Sequence, residues 1–487
     1  MDNWTFDLGP LMPEIFMAVS AMVLLLAGAF MGRKSTQKIN LLAIVVTAVT
    51  ILLVGNVSDG GAVTTTAHGL LTVDWLSTIS RILVLLAVSV SIVLMVGFTQ
   101  DEAIDRPEIP VLMVLASLGM MLMVSANNLL SLYIGLELMP LSLYVLAAIR
   151  RDRERASEAG MKYFVLGALA SGILLYGVSM IYGFTGSMDY ATIGAYLAGG
   201  GEVSVGLVFG IVFLLAGLGF KVSAAPFHMW TPDVYEGAPT AVTAFFSAAP
   251  KVAAMVALIR VLMGPLAEAI DQWQQIIVLL SGLSMVVGAL GAMMQVNIKR
   301  MLAYSSIGHM GFALMGVAGG DVTSVQAVVM YMALYVFMSL GTFGVVLSMR
   351  RDGVAVEKIS DLSGLSRNRP GLAFAMAVLM FSMAGIPPLA GFFAKLAVFK
   401  AAVSAGLIGL AVVGAVASVV AAFYYLRIIK IMYFDEAAEP FDKDVAPQYE
   451  VVTVLSVIVT VGFIFAPLFL GDMLSSASMV VATASGG

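Results

Sequence analysis

Apolar runs of about 20 residues, the length a helix needs to cross a hydrocarbon core, recur along this chain and leave room for little else. Fourteen can be marked, at 11–32, 39–56, 75–99, 110–125, 128–149, 157–183, 203–236, 239–264, 274–296, 301–319, 323–349, 371–400, 404–434 and 449–472. In lipid only helices and closed barrels satisfy every backbone polar group, and runs of this length are helical. With 60% hydrophobic and 11% charged residues over 487 positions and a mean hydropathy of +1.00, the chain is expected to be an all-α polytopic membrane protein. The longest polar connections, 351–370 and 435–448, are too short to build a soluble core. All of 1–487 therefore reads as one membrane domain. The first run follows Asp2 and Asp7 without a basic flank or a small-residue cleavage site, and is read as a retained span.

Positive charge reports orientation, because Lys and Arg collect in cytoplasmic loops. The basic loops all have one parity: Arg33, Lys34 and Lys38; Arg106; Arg150, Arg151, Arg153 and Arg155; Lys299 and Arg300; Arg350, Arg351, Lys358, Arg367 and Arg369; Arg427, Lys430 and Lys443. The alternate loops 57–74 and 184–202 contain no Lys or Arg. An even number of crossings with both termini on the outer, periplasmic side follows. The net charge of −5 says little about partners, and nothing in the sequence points to nucleic acid. Zero cysteines exclude a disulfide, a thiolate zinc site and an iron–sulfur cluster held by this chain.

Two of the runs are interrupted. The run from 203 reaches Lys221 and Ser223 and then meets Pro226, and the run from 371 meets Pro387 and Pro388. Proline removes a backbone donor and clashes with the preceding turn, so both helices should break near mid-membrane. Such breaks survive only where the freed groups are buried in protein or line a wet cavity. Each broken run is the fourth of five: runs at 110–264 form one unit and runs at 274–434 another. Five is odd, so consecutive units lie upside down to one another, the pattern of inverted-repeat transporters. Three N-terminal helices at 11–99 and a last helix at 449–472 flank the two repeats.

Ionisable residues within spans are expensive and are functional candidates. Glu137, Lys162, Lys221, Lys251 and Lys395 are such residues, and His309, next to Ser305 and Ser306, offers a group that exchanges protons near neutral pH. Structural alternatives stand beside all but Lys251, which is near the middle of its span. Lys162 and Lys395 are near enough to helix ends to snorkel; Glu137 and Lys221 can be a plain ion pair; His309 can be a packing histidine. His228 can cap the break or line an opening, and Ser305 can relay. Arg81 and Arg260 read as interfacial anchors. For Glu137 and Lys221 about 7 Å apart at an effective dielectric of about 20, the attraction is about 2.4 kcal/mol.

The segment AAPFHMWTPDVYEGAPTAVTAFFSAAPK, with EAGMKYFVLGALASG before it and NIKRMLAYSSIGHMGF after it, resembles the N-subunit family of respiratory complex I, the proton-pumping NADH:quinone oxidoreductase. The resemblance covers nearly the whole chain. It implies 14 core helices with inverted five-helix repeats and a buried Glu/Lys/His chain at mid-membrane. Carried over by motif, Glu137 tunes the pump lysine Lys221 with Lys162 on the neighbouring helix, Lys251 and His309 connect the units, and Lys395 is the exit-side lysine. It also implies neighbours among the antiporter-like M and small membrane subunits, and lipids, while the absence of a transit peptide fits a bacterial inner membrane and equally an organelle-encoded chain. FMN, iron–sulfur clusters, NADH and quinone would act in or with other subunits, with no metal or cofactor here. Ala241 departs from the family's usual proline, and Lys221 precedes its break whereas Lys395 follows its own. A subunit of a multi-subunit cation/proton antiporter, with the same fold, is the rival reading, and a passive membrane scaffold is a third.

Overall fold

The computed structural model describes residues 8–57 and 63–465, so Asp2, Asp7 and the end of the last expected span, 466–472, lie outside the described residues. An N-terminal group comprises α1 (Met12–Met31), α2 (Thr36–Val57) and α3 (Trp75–Asp101). There follow α4 (Glu108–Val124), α5 (Leu129–Ala147), α6 (Glu154–Thr185), a short α7 (Tyr190–Ala198), α8 (Val205–Val222), α9 (Trp230–Gly237), α10 (Thr240–Ser247) and α11 (Ala249–Met263). The rest is α12 (Ile270–Met293), α13 (Ile298–Val317), α14 (Val322–Leu347), α15 (Leu365–Asn368), α16 (Pro370–Ala384), α17 (Ala390–Ser404), α18 (Ile408–Phe434) and α19 (Pro447–Gly462). Among the described residues, eleven helical stretches are long and apolar enough to cross a membrane, and α4 and α16 are apolar but shorter. The chain is a helical membrane protein. Two small hairpins, β1 (Thr64–Thr66) with β2 (Leu71–Val73) and β3 (Arg350–Arg351) with β4 (Val354–Ala355), close loops at its ends.

Helix starts follow their local chemistry. Asp74, Asn128, Asp189, Ser204, Asn297 and Asp321 each accept a first-turn backbone N–H at the head of α3, α5, α7, α8, α13 and α14, satisfying donors that a helix leaves open. Where two helices must come close, side chains vanish. A Cβ on Gly119 would meet the Met139 amide nitrogen at 2.6 Å, and one on Gly135 the Met123 nitrogen at 2.7 Å, so α4 and α5 approach backbone to backbone.

Both expected breaks are present, between α8 and α9 and between α16 and α17. A third was not anticipated: the run at 239–264 is divided into α10 and α11 at Ala248, whose φ of −111° and ψ of −88° are not helical. Pro250 is in the first turn of α11 and cannot supply the hydrogen bond that would carry the ladder through. Pro140, by contrast, sits inside an unbroken α5.

The loops of basic parity gather on shared carboxylates. Glu102, just beyond α3, accepts from Arg150 after α5 and from Arg350 on β3 at 2.7 Å. Burial alone would push the Glu102 carboxyl up, but the hydrogen bonds from Arg350 and Arg150 outweigh it and leave the group below its ordinary 4.5. A depressed carboxylate contributes stability above its unfolded value and loses it as pH falls through the folded value. Glu102→Gln is therefore expected to cost about 2 kcal/mol near neutral pH. The melting-temperature gap between variant and parent, followed in detergent, should close as the pH drops below 4.5.

The opposite end corrects the interfacial reading of two arginines. Arg260 places both terminal nitrogens on Asp74, at 2.8 and 2.9 Å, and its Nε on the Val124 carbonyl at 2.8 Å. Arg81 is buried and pairs with Glu14 at 2.9 Å between α3 and α1. Each arginine found a carboxylate on a distant helix, which removes any need to reach for the membrane surface.

Candidate functional site

α8 carries Lys221 in its last turn and stops at Val222, because Ser223 adopts the left-handed conformation at φ 64° and ψ 36°. The Lys221 ammonium is 3.7 Å from Glu137 Oε1 on α5 and donates to Ser171 Oγ on α6 at 3.1 Å. The pair is closer than the separation considered from sequence alone. Lys221 is buried, whereas the Glu137 side chain retains 28% of its exposure. The freed backbone after the break is tied down locally and across: Ala224 donates to the Gly219 carbonyl, and Ala225 donates to Ser284 Oγ on α12, both at 2.8 Å.

Lys251 reaches the same place from α11, the continuation of a span buried throughout. Its ammonium donates to the Val222 carbonyl at 3.0 Å and to Ser223 Oγ, and lies 5.2 Å from the centre of the Trp230 ring. Thr231 donates to the same Ser223 hydroxyl at 2.7 Å. Lys221 and Lys251 thus converge on the end of one half-helix.

His309, on α13, is held between two phenols. Nδ1 is 2.7 Å from Tyr331 Oη and Nε2 is 3.1 Å from Tyr425 Oη, and Ser305 shares Tyr425 at 2.5 Å. A neutral imidazole donates through one nitrogen and accepts through the other, so this ring sits in a line of groups that can each give and take a proton. Lys395, on α17 just after the second break, donates to the Ala384 carbonyl at the end of α16 and to Ser418 Oγ on α18, each at 2.9 Å. Its ammonium is 4.8 Å from the Phe312 ring centre. His309 and Lys395 both line a cavity of about 10 Å³, room for about one water.

The other candidates lie elsewhere. Lys162 is 42% exposed and pairs with Glu158 and Asp233, each at 2.7 Å, rather than joining Glu137 and Lys221. Asp233 and Glu236 also hold Arg300, and buried Lys299 donates to the carbonyls of Glu236 and Ala238 and to Glu357, all at 2.9 Å. These contacts stitch α9 to α13, beside a polar cavity of about 340 Å³ lined by Arg150, Arg155, Glu236 and Lys299. His228 lies between α8 and α9 with Nδ1 buried and unpartnered among the described residues. Pro226 is exposed. Ser171, Ser223, Ser418, Trp230, Phe312, Tyr331 and Tyr425 were not foreseen as site residues. Trp230 and Ser223 carried a signal by standing inside the interrupted segment, and Ser171 and Phe312 by standing in the motifs on either side of it.

The family model described as NADH:quinone oxidoreductase/Mrp antiporter, TM matches residues 126–421. "NADH-quinone oxidoreductase subunit N" of Paramagnetospirillum magneticum is 49% identical over 486 residues, covering 99% of each chain. A chain in respiratory complex I from Thermus thermophilus is similar with a TM-score of 0.81 and 32% identity, over 95% of this chain and 99% of that one. A chain of the Mrp complex from Dietzia sp. gives a TM-score of 0.84 at 23% identity, over 97% of this chain and 97% of that one, a likeness of fold alone.

Proposed function

The chain belongs to the family of NADH-quinone oxidoreductase N subunits, and on that premise we propose that its own residues carry protons through the membrane while electrons move elsewhere. It is a proton-translocating membrane subunit of NADH:quinone oxidoreductase, assembled with the other membrane subunits of that complex. NADH, FMN, iron–sulfur clusters and quinone are assigned to or with those other subunits. The observation that carries the path is the sequence of groups: half-buried Glu137 beside buried Lys221, buried Lys251 on the same helix end, and His309 sharing a water-sized cavity with Lys395.

The path runs in steps that each group can perform. Glu137 holds a positive charge on Lys221 when ionised and loosens it when protonated. Lys221 and Lys251 meet at the broken end of α8, and the Tyr331, His309 and Tyr425 line continues toward Lys395. The cavity at the basic end, with Lys162 and Asp233 nearby, suits a cytoplasmic inlet. Ser305, bonded to Tyr425, belongs to the relay.

The finer architecture fits this reading. Taking α4, α13 and the α16–α17 pair with the eleven apolar stretches gives the 14 crossings expected from the sequence. Two inverted five-helix units are supported by recurring detail. α8 and α16 both end in a left-handed residue, Ser223 and Gly385. The first two helices of each unit meet through glycine, Gly119 and Gly135 in one, Gly288 against Gly308 in the other. We place both termini on the periplasmic side of a bacterial inner membrane, since the basic loops meet at the opposite end.

Lys251→Ala in inverted membrane vesicles tests the path. NADH-driven acidification is expected to fall at least about tenfold in an assembled complex, with no dependence on sodium. Sodium-dependent proton exchange in the absence of NADH would instead support the antiporter reading.

A further inference from the structure

Lys251 and Lys395 are buried ammonium groups with no carboxylate within ion-pair distance among the described residues. They are nonetheless held alike. Each donates to the last carbonyl of a half-helix, Val222 of α8 and Ala384 of α16, at 3.0 and 2.9 Å. Each donates to a serine hydroxyl, Ser223 and Ser418. Each has an aromatic ring behind it, Trp230 at 5.2 Å and Phe312 at 4.8 Å. A helix C-terminus is the negative end of its dipole, and a ring face attracts a cation through its quadrupole. The two cages belong to different repeats and share no residue.

A carboxylate attracts an ammonium strongly and resists letting it discharge. A carbonyl, a hydroxyl and a ring supply a weaker field that a lysine can leave once neutral. The carbonyl and hydroxyl can also bond a neutral amine, whereas the ring's attraction requires the charge. The ring is therefore the member of the cage that tells a loaded lysine from an empty one.

We propose that Trp230 and Phe312 are positioning residues that hold protonated Lys251 and Lys395 against the ends of α8 and α16 and release them when they discharge. The proposal rests on the proton path above, and it makes Lys251 the counterpart of Lys395, leaving Lys221 as the lysine with a carboxylate. Trp230 is held rigidly in place, stacked on Tyr163 with ring centres 4.4 Å apart and donating from Nε1 to the Phe220 carbonyl at 3.1 Å. Because replacing Trp230 would also remove that hydrogen bond, Phe312 is the cleaner site.

The intact complex in proteoliposomes would carry at position 312 either Tyr, Leu or site-specifically incorporated pentafluorophenylalanine, which keeps the ring's shape and reverses its quadrupole. Protons pumped and NADH oxidised are read together, with Lys395→Ala as the reference. Phe312→Tyr is expected to stay within about twofold of the parent, while Phe312→Leu and the fluorinated ring lower coupled pumping by about five- to thirtyfold, the range of a desolvated cation–π contact. If Phe312→Leu fails to assemble, the nearly isosteric fluorinated ring decides. Parent-level pumping with that ring, beside a Lys395→Ala that pumps poorly, overturns the role of the ring and leaves the path standing. Unchanged pumping in Lys395→Ala overturns the path itself.

Discussion

Lys221→Ala is expected to lower coupled NADH:quinone turnover and proton pumping together by at least about tenfold, in a complex that still assembles. Assembly should survive because only one carboxylate loses its partner, and the Glu137 side chain is not enclosed by this chain, keeping 28% of its exposure. Ser171, the other partner, is left with an unpaired hydroxyl, a modest loss. The proposed proton path has no substitute, since no other ammonium approaches Glu137 within ion-pair distance among the described residues. Glu137→Gln should be milder, as Lys221 keeps its serine while its charge is no longer tuned. The measurement is NADH oxidation and vesicle acidification on the same membranes, normalised to assembled complex. Wild-type rates in both would make the pair a structural one and remove the centre of the mechanism.

The sequence revealed the parts governed by backbone chemistry and charge sorting. Both helices expected to be interrupted do stop ahead of Pro226 and Pro387, and the arginines at 150 and 350, assigned to one side by parity, meet on Glu102. Prolines were nevertheless not self-explanatory: Pro250 divides its span and Pro140 does not. Contacts across helices were the hidden part. A serine in an apolar helix can satisfy itself on a carbonyl one turn back, as Ser91 does on Ala87. Helical spacing alone does not separate that case from Ser171 and Ser418, which receive lysines from other helices. Lys162 shows the same limit with charge. The resemblance put it on the helix beside the Glu137–Lys221 pair, but it pairs with Glu158 one turn back and with Asp233 across the break. Arg81 looked like an anchor only because its carboxylate, Glu14, stands two helices earlier.

That last pair supplies a second large effect, one of stability rather than transport. Arg81 and Glu14 are both buried, and the pairing is incomplete, with Arg81 Nη2 and Glu14 Oε2 left without hydrogen-bond partners among the described residues. Removing one member leaves an uncompensated charge in a medium that cannot solvate it. Arg81→Leu is therefore expected to cost about 3–5 kcal/mol and to reduce sharply the amount of assembled complex. Replacing both, Glu14→Leu with Arg81→Met, removes the desolvation cost along with the attraction. The double variant should recover most of the loss, because apolar substitutes for a buried pair are often neutral or better. Whatever complex assembles should pump normally, since neither residue touches the Lys221 to Lys395 line. Blue-native gels and thermal melts read the stability, and pumping per assembled complex reads the function. A single variant that assembles at the parent level would mean that water or a neighbouring subunit already solvates this site, and the two charges would then be independent of one another.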